Sequence, residues 1–419
     1  MSNQKSKRAY GVSMPYMMYG RLEGFLRIPV AMVVWYLFFR GVAAPFYDHG
    51  DSRRCTGGDC AAAAVSLGLF TWLRVYLCAN GVFLVTLFLV ENLRCLLIPG
   101  PTRLSLTDDY VDGNPPKVDT MEAFKYDTPL GTYERIKIGF FVVTGIVFVR
   151  FFAAITTIFL GLFSTSVTGY LDRYAHPWWF GFWSRVSKVL VIVAFSLLGL
   201  HNIQLYGKLA SRKECKFLIS NHSCVVELVL LFIMADFPSF VSRRENLQFA
   251  FMGSIVKFSE SILVDRDAAT SRAQTQQAIF ERARDPNAPQ LMVFPEGTTC
   301  NQLTLFQFKK GVFAPGAPVQ MICFAFPYKH FNASWTGREV GGNGFFDILL
   351  RLSCQFVNYA EVRALPVYYP TVEEKHDPIL YAAHCQKMMA TVLHANVSDA
   401  TYGDYKEASR RYAETKKQK

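Results

Sequence analysis

The sequence predicts an α/β fold: a largely parallel central sheet flanked by helices, preceded by membrane-embedded helices. Three observations predict it. Before about residue 210 the chain is dominated by long apolar stretches, each near the roughly 20 residues that a bilayer span needs. After that point short apolar runs alternate with amphipathic stretches, the pattern of strands joined by crossover helices. The composition agrees: 51% of residues are hydrophobic, 15% aromatic and only 18% charged, against about 25% in a soluble domain.

The first 24 residues are polar and basic, with Lys5, Lys7, Arg8 and Arg21. Residues 25–44 form a candidate span, with Arg27 and Arg40 near its ends, where long basic side chains reach the interface. No small-residue cleavage site follows, so no cleavable signal is expected. The basic leader predicts a cytosolic N-terminus. The loop 45–61 then faces the lumen. It carries Cys55 and Cys60, and a disulfide between them is left open. With no second Cys or His pair nearby, zinc is not expected there.

Residues 62–92 form a second apolar stretch, interrupted by Arg74. A charge at mid-span costs roughly 2.5–3.5 kcal/mol. Arg74 therefore pairs inside a bundle or marks a break between two helices. Residues 1–98 are thus read as a membrane region with about two spans, and 99–136 as a polar linker rich in Pro, Asp and Thr. Asp108, Asp112 and Gly113 resemble the start of a calcium loop, but Tyr110 stands where an oxygen ligand belongs. Two more apolar stretches follow, 139–168 and 178–204, with Arg150, Arg185 and Lys188 inside them. Trp178, Trp179 and Trp183 cluster at the start of the second, as is common at membrane interfaces. Residues 137–209 are read as a membrane-embedded helical hairpin.

Strands are predicted at 216–220, 261–265, 290–294, 319–326 and 362–369, and helices at 223–236, 268–284, 345–357 and 377–395. They define a catalytic domain over 210–400, followed by a basic tail, 401–419. There are 44 basic and 33 acidic residues, a formal charge of +11. With no nucleic-acid motif, that excess fits an anionic membrane surface or a phosphate-bearing substrate. Most of the ten cysteines, such as Cys78, Cys95, Cys323 and Cys354, lie in apolar runs and read as small buried residues.

Four segments carry chemistry. In LISNHSCVVELV a strand ends at Ser220, Asn221 and His222 occupy a turn, and a helix follows. His222 and Glu227 are five residues apart, about 140° on an ideal helix. They can pair only if His222 stays in the turn and Glu227 reaches back. A carboxylate on one ring nitrogen then leaves the other free to take a proton. Alone, such a pair is usually structural. In VFPEGTT a strand ends in Glu296, Gly297, Thr298 and Thr299, where ligands bind in open α/β sheets. In ILVDRD, Arg266 offers a fork suited to phosphate, although an ion pair with Asp265 or Asp267 is its commoner fate. In FKKG, Lys309 and Lys310 sit between an aromatic residue and a glycine, as a solvated turn or a phosphate contact.

In this order the segments resemble the glycerophospholipid acyltransferase (PlsC-like) family. VFPEGTTCN, FKKGVFAPGAPVQ, LPVYYPTVEEKHDPILYA and DATYGDYK are similar to the lysophosphatidylcholine acyltransferase branch. The resemblance implies that His222 deprotonates a lysolipid hydroxyl, which attacks the thioester of acyl-CoA, and that Glu227 orients His222. It places Asn221, Arg266, Glu296, Gly297, Thr298, Thr299 and Lys309 in substrate binding. Acyl-CoA is then a substrate, and no metal or bound cofactor is expected. The implied acceptor is lysophosphatidylcholine. Lysophosphatidate, lysophosphatidylethanolamine or glycerol phosphate are alternative acceptors within the fold, and a catalytically silent membrane lipid-binding relative is an alternative of another functional class.

Glu227 replaces the usual aspartate, Gln302 stands where relatives often carry arginine, and Met321 replaces a proline. The last residues, KKQK, resemble a dilysine signal for endoplasmic reticulum retrieval. A multi-pass protein of that membrane with its catalytic domain in the cytosol is expected. The sequons at Asn221, Asn332 and Asn396 then lie on the cytosolic side.

Overall fold

The structure, a computed structural model, describes Cys78, Val82 and residues 114–169, 176–234, 238–248, 253, 256, 259–264, 271–328, 331–355 and 358–417. The predicted span 25–44, the Cys55 and Cys60 loop, Arg74 and Arg266 lie outside the described residues.

Three helices precede the sheet: α1 (Thr132–Val143), α2 (Ile146–Gly169) and α3 (Pro177–Leu197). Pro177 opens α3 at its first turn, where its missing N–H costs nothing. Helices α2 and α3 form an antiparallel pair. Gly161 lets Leu190 and Val191 approach, and Ser187 donates to Ser164 Oγ at 2.9 Å. Small residues and hydroxyl bonds of this kind bring apolar helices close. Both helices are long and apolar enough to cross a membrane. They expose Phe148, Phe152, Phe159, Trp178 and Trp179.

The stretch 178–204 is not one element. Helix α3 stops at Leu197, Gly199 turns the chain with φ +82°, and β1 (Leu200–Tyr206) follows. An apolar run alone does not separate a helix from a buried strand, and the glycine marks the change. The sheet therefore begins ahead of the expected boundary at 210.

The remaining elements are β2 (Phe217–Ser220), α4 (Val225–Met234), β3 (Ser239–Arg243), β4 (Ile262–Val264), α5 (Ser271–Arg284), β5 (Leu291–Val293), β6 (Thr304–Leu305), β7 (Val319–Ala325), α6 (Phe345–Ser353), β8 (Asn358–Tyr368), α7 (Val372–His376), α8 (Pro378–Leu393), β9 (Asn396–Val397) and α9 (Tyr402–Lys417). Seven strands form the main sheet in the order β1-β8-β7-β2-β5-β3-β4. All neighbours are parallel except β7 and β8. Alternate residues of β2 and β7 serve opposite faces. Phe217, Ile219, Val319 and Met321 pack on the side of α5 and α8. Leu218, Ile322 and Phe324 pack on the side of α4 and α6. Met321 sits at the register shift between β7 and β8, a place where a strand tolerates proline.

Strand β3 falls where the sequence pattern predicts no element, and two further segments differ from expectation. Residues 114–131, within the predicted linker, lie on the sheet domain. Lys117 bridges Val397, Phe124 packs with Phe306 and Ala400, and Tyr126 donates to the Asn332 carbonyl at 2.7 Å. The predicted tail forms α9, whose Tyr405 packs edge-on against Phe124 at 5.7 Å. Buried aromatics scattered through polar sequence leave no periodic signal.

Candidate active site

Strand β2 ends in the middle of the sheet and delivers the turn 221–224 to its C-terminal edge. Asn221 is buried and ties that turn to β7: its Nδ2 donates to the Phe324 carbonyl at 2.9 Å, and its Oδ1 accepts from the Phe324 N–H at 2.8 Å. His222 comes next, outside the helix. Glu227 lies in the first turn of α4 and reaches back. Its Oε1 accepts from the N–H groups of Ser223 at 2.7 Å and Cys224 at 2.9 Å, and from the Ser223 hydroxyl. Its Oε2 lies 3.0 Å from His222 Nδ1. The carboxylate satisfies N–H groups that a helix start leaves unpaired and holds the imidazole as well.

The His222 ring stacks on Phe294 with centroids 4.3 Å apart. Its side chain is 17% exposed, whereas that of Glu227 is wholly buried. With Nδ1 engaged, Nε2 is the nitrogen that remains for proton transfer.

The loop after β5 closes on the same turn. Glu296 is wholly buried. Its two oxygens accept from the N–H of His222 and the N–H of Phe306, each at 2.9 Å. Burial pushes its carboxyl up to about 8, against the pull of those two bonds. The Cys300 N–H donates to the His222 carbonyl at 2.8 Å. Gly297 has φ +69°, which a side chain resists, and a Cβ there would overlap the Lys309 ammonium. Lys309 is exposed, with its N–H on the Pro295 carbonyl at 2.9 Å. Thr298 is partly exposed. The Thr299 hydroxyl donates to the Trp335 carbonyl, and the Trp335 N–H donates to the Ser223 carbonyl at 2.7 Å.

The fold thus gathers eight of the nine predicted site residues at one sheet edge. Arg266 lies outside the described residues. His222, Gly297, Thr298 and Lys309 are accessible from outside, whereas Asn221, Glu227 and Glu296 form the wall behind them. Glu296 and Asn221 hold backbone in place. Gln302 is also buried, with φ +66°. It donates to Asn332 Oδ1 at 2.5 Å and accepts from the Phe326 N–H at 2.9 Å. Sequence reasoning missed Phe294, Ser223 and Trp335 at this site. Phe294 lies in the VFPEGTT segment and reads there as strand; Trp335 leaves no local signal. Among the described residues no group of three His, Cys, Asp or Glu side chains is placed to hold a metal ion.

Residues 202–324 match the acyltransferase family. The chain is 38% identical over 201 residues to the lysophospholipid acyltransferase LPCAT4 of Xenopus tropicalis, covering 48% of this chain and 38% of that protein. It is 35% identical over 208 residues to human lysophosphatidylcholine acyltransferase 1, covering 49% and 38%. To lysophosphatidylcholine acyltransferase 2 of Mus musculus it is 36% identical over 200 residues, covering 47% and 36%. The matched part of this chain thus spans under two fifths of these relatives' lengths. The crystal structure of the 1-acyl-sn-glycerophosphate acyltransferase PlsC from Thermotoga maritima overlaps 63% of this chain and 96% of its own, at 15% identity and a TM-score of 0.34, which adds nothing to the topology above. Residues 202–324, with His222 and Glu227 at their sheet edge, form a domain of the acyltransferase family, of the kind found in the lysophospholipid acyltransferases.

Proposed function

We propose that the protein is an acyl-CoA-dependent lysophospholipid acyltransferase, with lysophosphatidylcholine as its acceptor. The observation that carries this reading is the 3.0 Å contact between His222 Nδ1 and a fully buried Glu227, at the sheet edge of a domain similar to lysophosphatidylcholine acyltransferases.

His222 Nε2 takes the proton of the free glycerol hydroxyl. The oxygen attacks the thioester carbonyl and forms a C–O bond. The C–S bond breaks, and the CoA sulfur leaves with the proton returned by the imidazolium. Glu227 sits behind the ring, so the charge that forms there meets a carboxylate. A base held in this way contributes roughly 10²–10⁴ in rate, and joining two substrates in one site adds more. Gly297, Thr298 and Lys309 grip the phosphate end of the acceptor. Glycine lets the backbone come close, and Lys309, lying over it, adds a positive charge. Thr299, Asn221 and Glu296 hold the walls, and Arg266 is a further phosphate contact. The helices α2 and α3 anchor the domain to a bilayer, which we place at the endoplasmic reticulum with the site in the cytosol, where acyl-CoA is found.

The test incubates membranes carrying the protein with labelled acyl-CoA and a panel of lysolipids, glycerol phosphate included. Product on lysophosphatidylcholine supports the reading. Product only on lysophosphatidate, lysophosphatidylethanolamine or glycerol phosphate moves the acceptor. No product on any of them leaves a silent lipid-binding relative.

A further inference from the structure

Helix α1 combines two buried charges with an exposed apolar stripe. Of its three charged residues Glu134 and Lys137 are buried and Arg135 is exposed, while Ile136, Phe140 and Val143 are exposed and Phe141 is buried. The exposed three are spaced four and three apart, so they form one stripe. A helix on a watery surface turns its charges the other way. Ile136 is 69% exposed and Val143 83%.

The buried charges explain how this polarity is tolerated. Lys137 pairs with Glu134 and donates to Gln355 Oε1 at 2.5 Å. Gln355 Nε2 returns to Glu134 at 3.1 Å. Arg351 of α6 reaches Glu134 at 3.4 Å. Arg150 of α2 donates to the Gln355 carbonyl at 2.7 Å. This cluster clamps α1, α2 and α6 together. Helix α6 buries Arg351 beside its core residues Ile348, Leu349 and Leu352, and still turns Phe346, 66% exposed, and Leu350 outward four residues apart.

We infer that α1 and α6 form a second bilayer-contact surface, distinct from the α2–α3 pair, which seats the mouth of the site on lipid. The occupant is the acyl and interfacial region of a phospholipid bilayer. The argument is continuity. Only Thr144 and Gly145 separate α1 from α2, α6 packs on α2, and α2 continues the apolar exposure with Phe148, Val149 and Phe152.

The surface also leads to the site. Phe346 meets Phe345 at 5.3 Å, Phe345 meets Trp335 at 5.9 Å, and Trp335 is bonded to Ser223, the neighbour of His222. An acceptor held in the bilayer thus lies a few rings from the imidazole. This consequence rests on the acyltransferase reading; the lipid contact does not.

The full chain is reconstituted in dioleoylphosphatidylcholine vesicles containing a diazirine phosphatidylcholine, irradiated, and mapped by mass spectrometry. Adducts are expected on residues 136–143 and 345–350 as well as on α2 and α3. Ile136→Asp and Phe346→Asp, both at exposed positions, should remove the adducts from their own helix and leave those on α2 and α3. Adducts confined to α2 and α3 would overturn the proposal. So would cross-links joining α1 or α6 of one copy to another copy in place of lipid. In the activity arm, Phe346→Asp should raise KM about tenfold for vesicle-borne lysolipid, the worth of burying one large apolar side chain. A monomeric short-chain acceptor should turn over unchanged. Equal loss on both acceptors would overturn the link to the site. Lipid adducts with no acyl transfer on any acceptor would sink the acyltransferase reading and keep the surface.

Discussion

His222 Nδ1 lies 3.0 Å from Glu227 Oε2, although five residues separate them. The contact exists because the histidine stays in the turn and only the glutamate is helical. The same carboxylate accepts from the N–H groups of Ser223 and Cys224. One side chain therefore starts the helix and fixes the ring.

The two duties separate by mutation. Glu227→Gln keeps an oxygen for the helix start and loses the charge behind the imidazole. It should lower kcat by about 10²-fold or more, within the range of a positioned base, with little change in melting temperature. Glu227→Asp should retain part of the activity. His222→Ala should abolish acyl transfer and leave the circular-dichroism melt near that of the wild type, since the ring is partly exposed. A His222→Ala protein with normal turnover of labelled acyl-CoA would remove the catalytic reading.

Gly297 and Lys309 are matched in the same way. The φ of +69° costs a side chain about 1–2 kcal/mol, and a Cβ would strike the Lys309 ammonium. Gly297→Ala should therefore lower stability by that amount and push the lysine aside. Lys309→Met should leave the fold intact. Both should raise KM for a phosphate-bearing acceptor more than they lower kcat. A steady-state series in acceptor concentration reads the split, and an unchanged KM in Lys309→Met would exclude the phosphate role.

Much of this site is legible in the sequence, because strand-ending turns announce themselves. Asn-His after FLIS and Pro-Glu-Gly-Thr after LMVF both fall where an apolar run stops, and β2 and β5 end there or one residue before. Those strands are neighbours, so the two turns meet. What each polar group does once they meet is not legible. Glu296 and Asn221 read as binding residues, yet their polar atoms are taken by backbone, a three-dimensional fact with no sequence period. Strand β1 is hidden in an apolar stretch continuous with α3, and residues 114–131 hold their place through isolated contacts such as Phe124 with Phe306 at 5.0 Å.

Gln302 follows from the same distinction. Read from sequence, it is a lost phosphate contact where relatives carry arginine. In the fold it is buried and bonded to Asn332 and the Phe326 N–H. Gln302→Arg should leave that N–H unsatisfied and force a charge into the loop. The expected cost is about 1–3 kcal/mol for the lost bond, more for the charge, with no gain in acceptor affinity. Urea unfolding compared with acceptor KM checks both parts. A stable variant with a lower KM would show that residue 302 faces the substrate.

Glu296 makes stability depend on pH. Its carboxyl sits at about 8 in the fold against an ordinary value of 4.5, with burial as the main cause and Glu227 adding to it. Below the ordinary value both folded and unfolded chains hold the proton. Between the two values only the folded chain holds it, so raising the pH across that window favours unfolding. Above about 8 the folded carboxyl ionises as well and the slope ends. Glu296→Gln cannot ionise, so the variant should lose less stability than the wild type as pH rises from about 5 to about 8. It should also be weaker throughout, because an amide offers one accepting oxygen where the N–H groups of His222 and Phe306 need two. Melting temperatures of both proteins in detergent across that range decide it. Parallel curves would mean that Glu296 is already ionised in the fold, and that the His222 turn is braced by a charge.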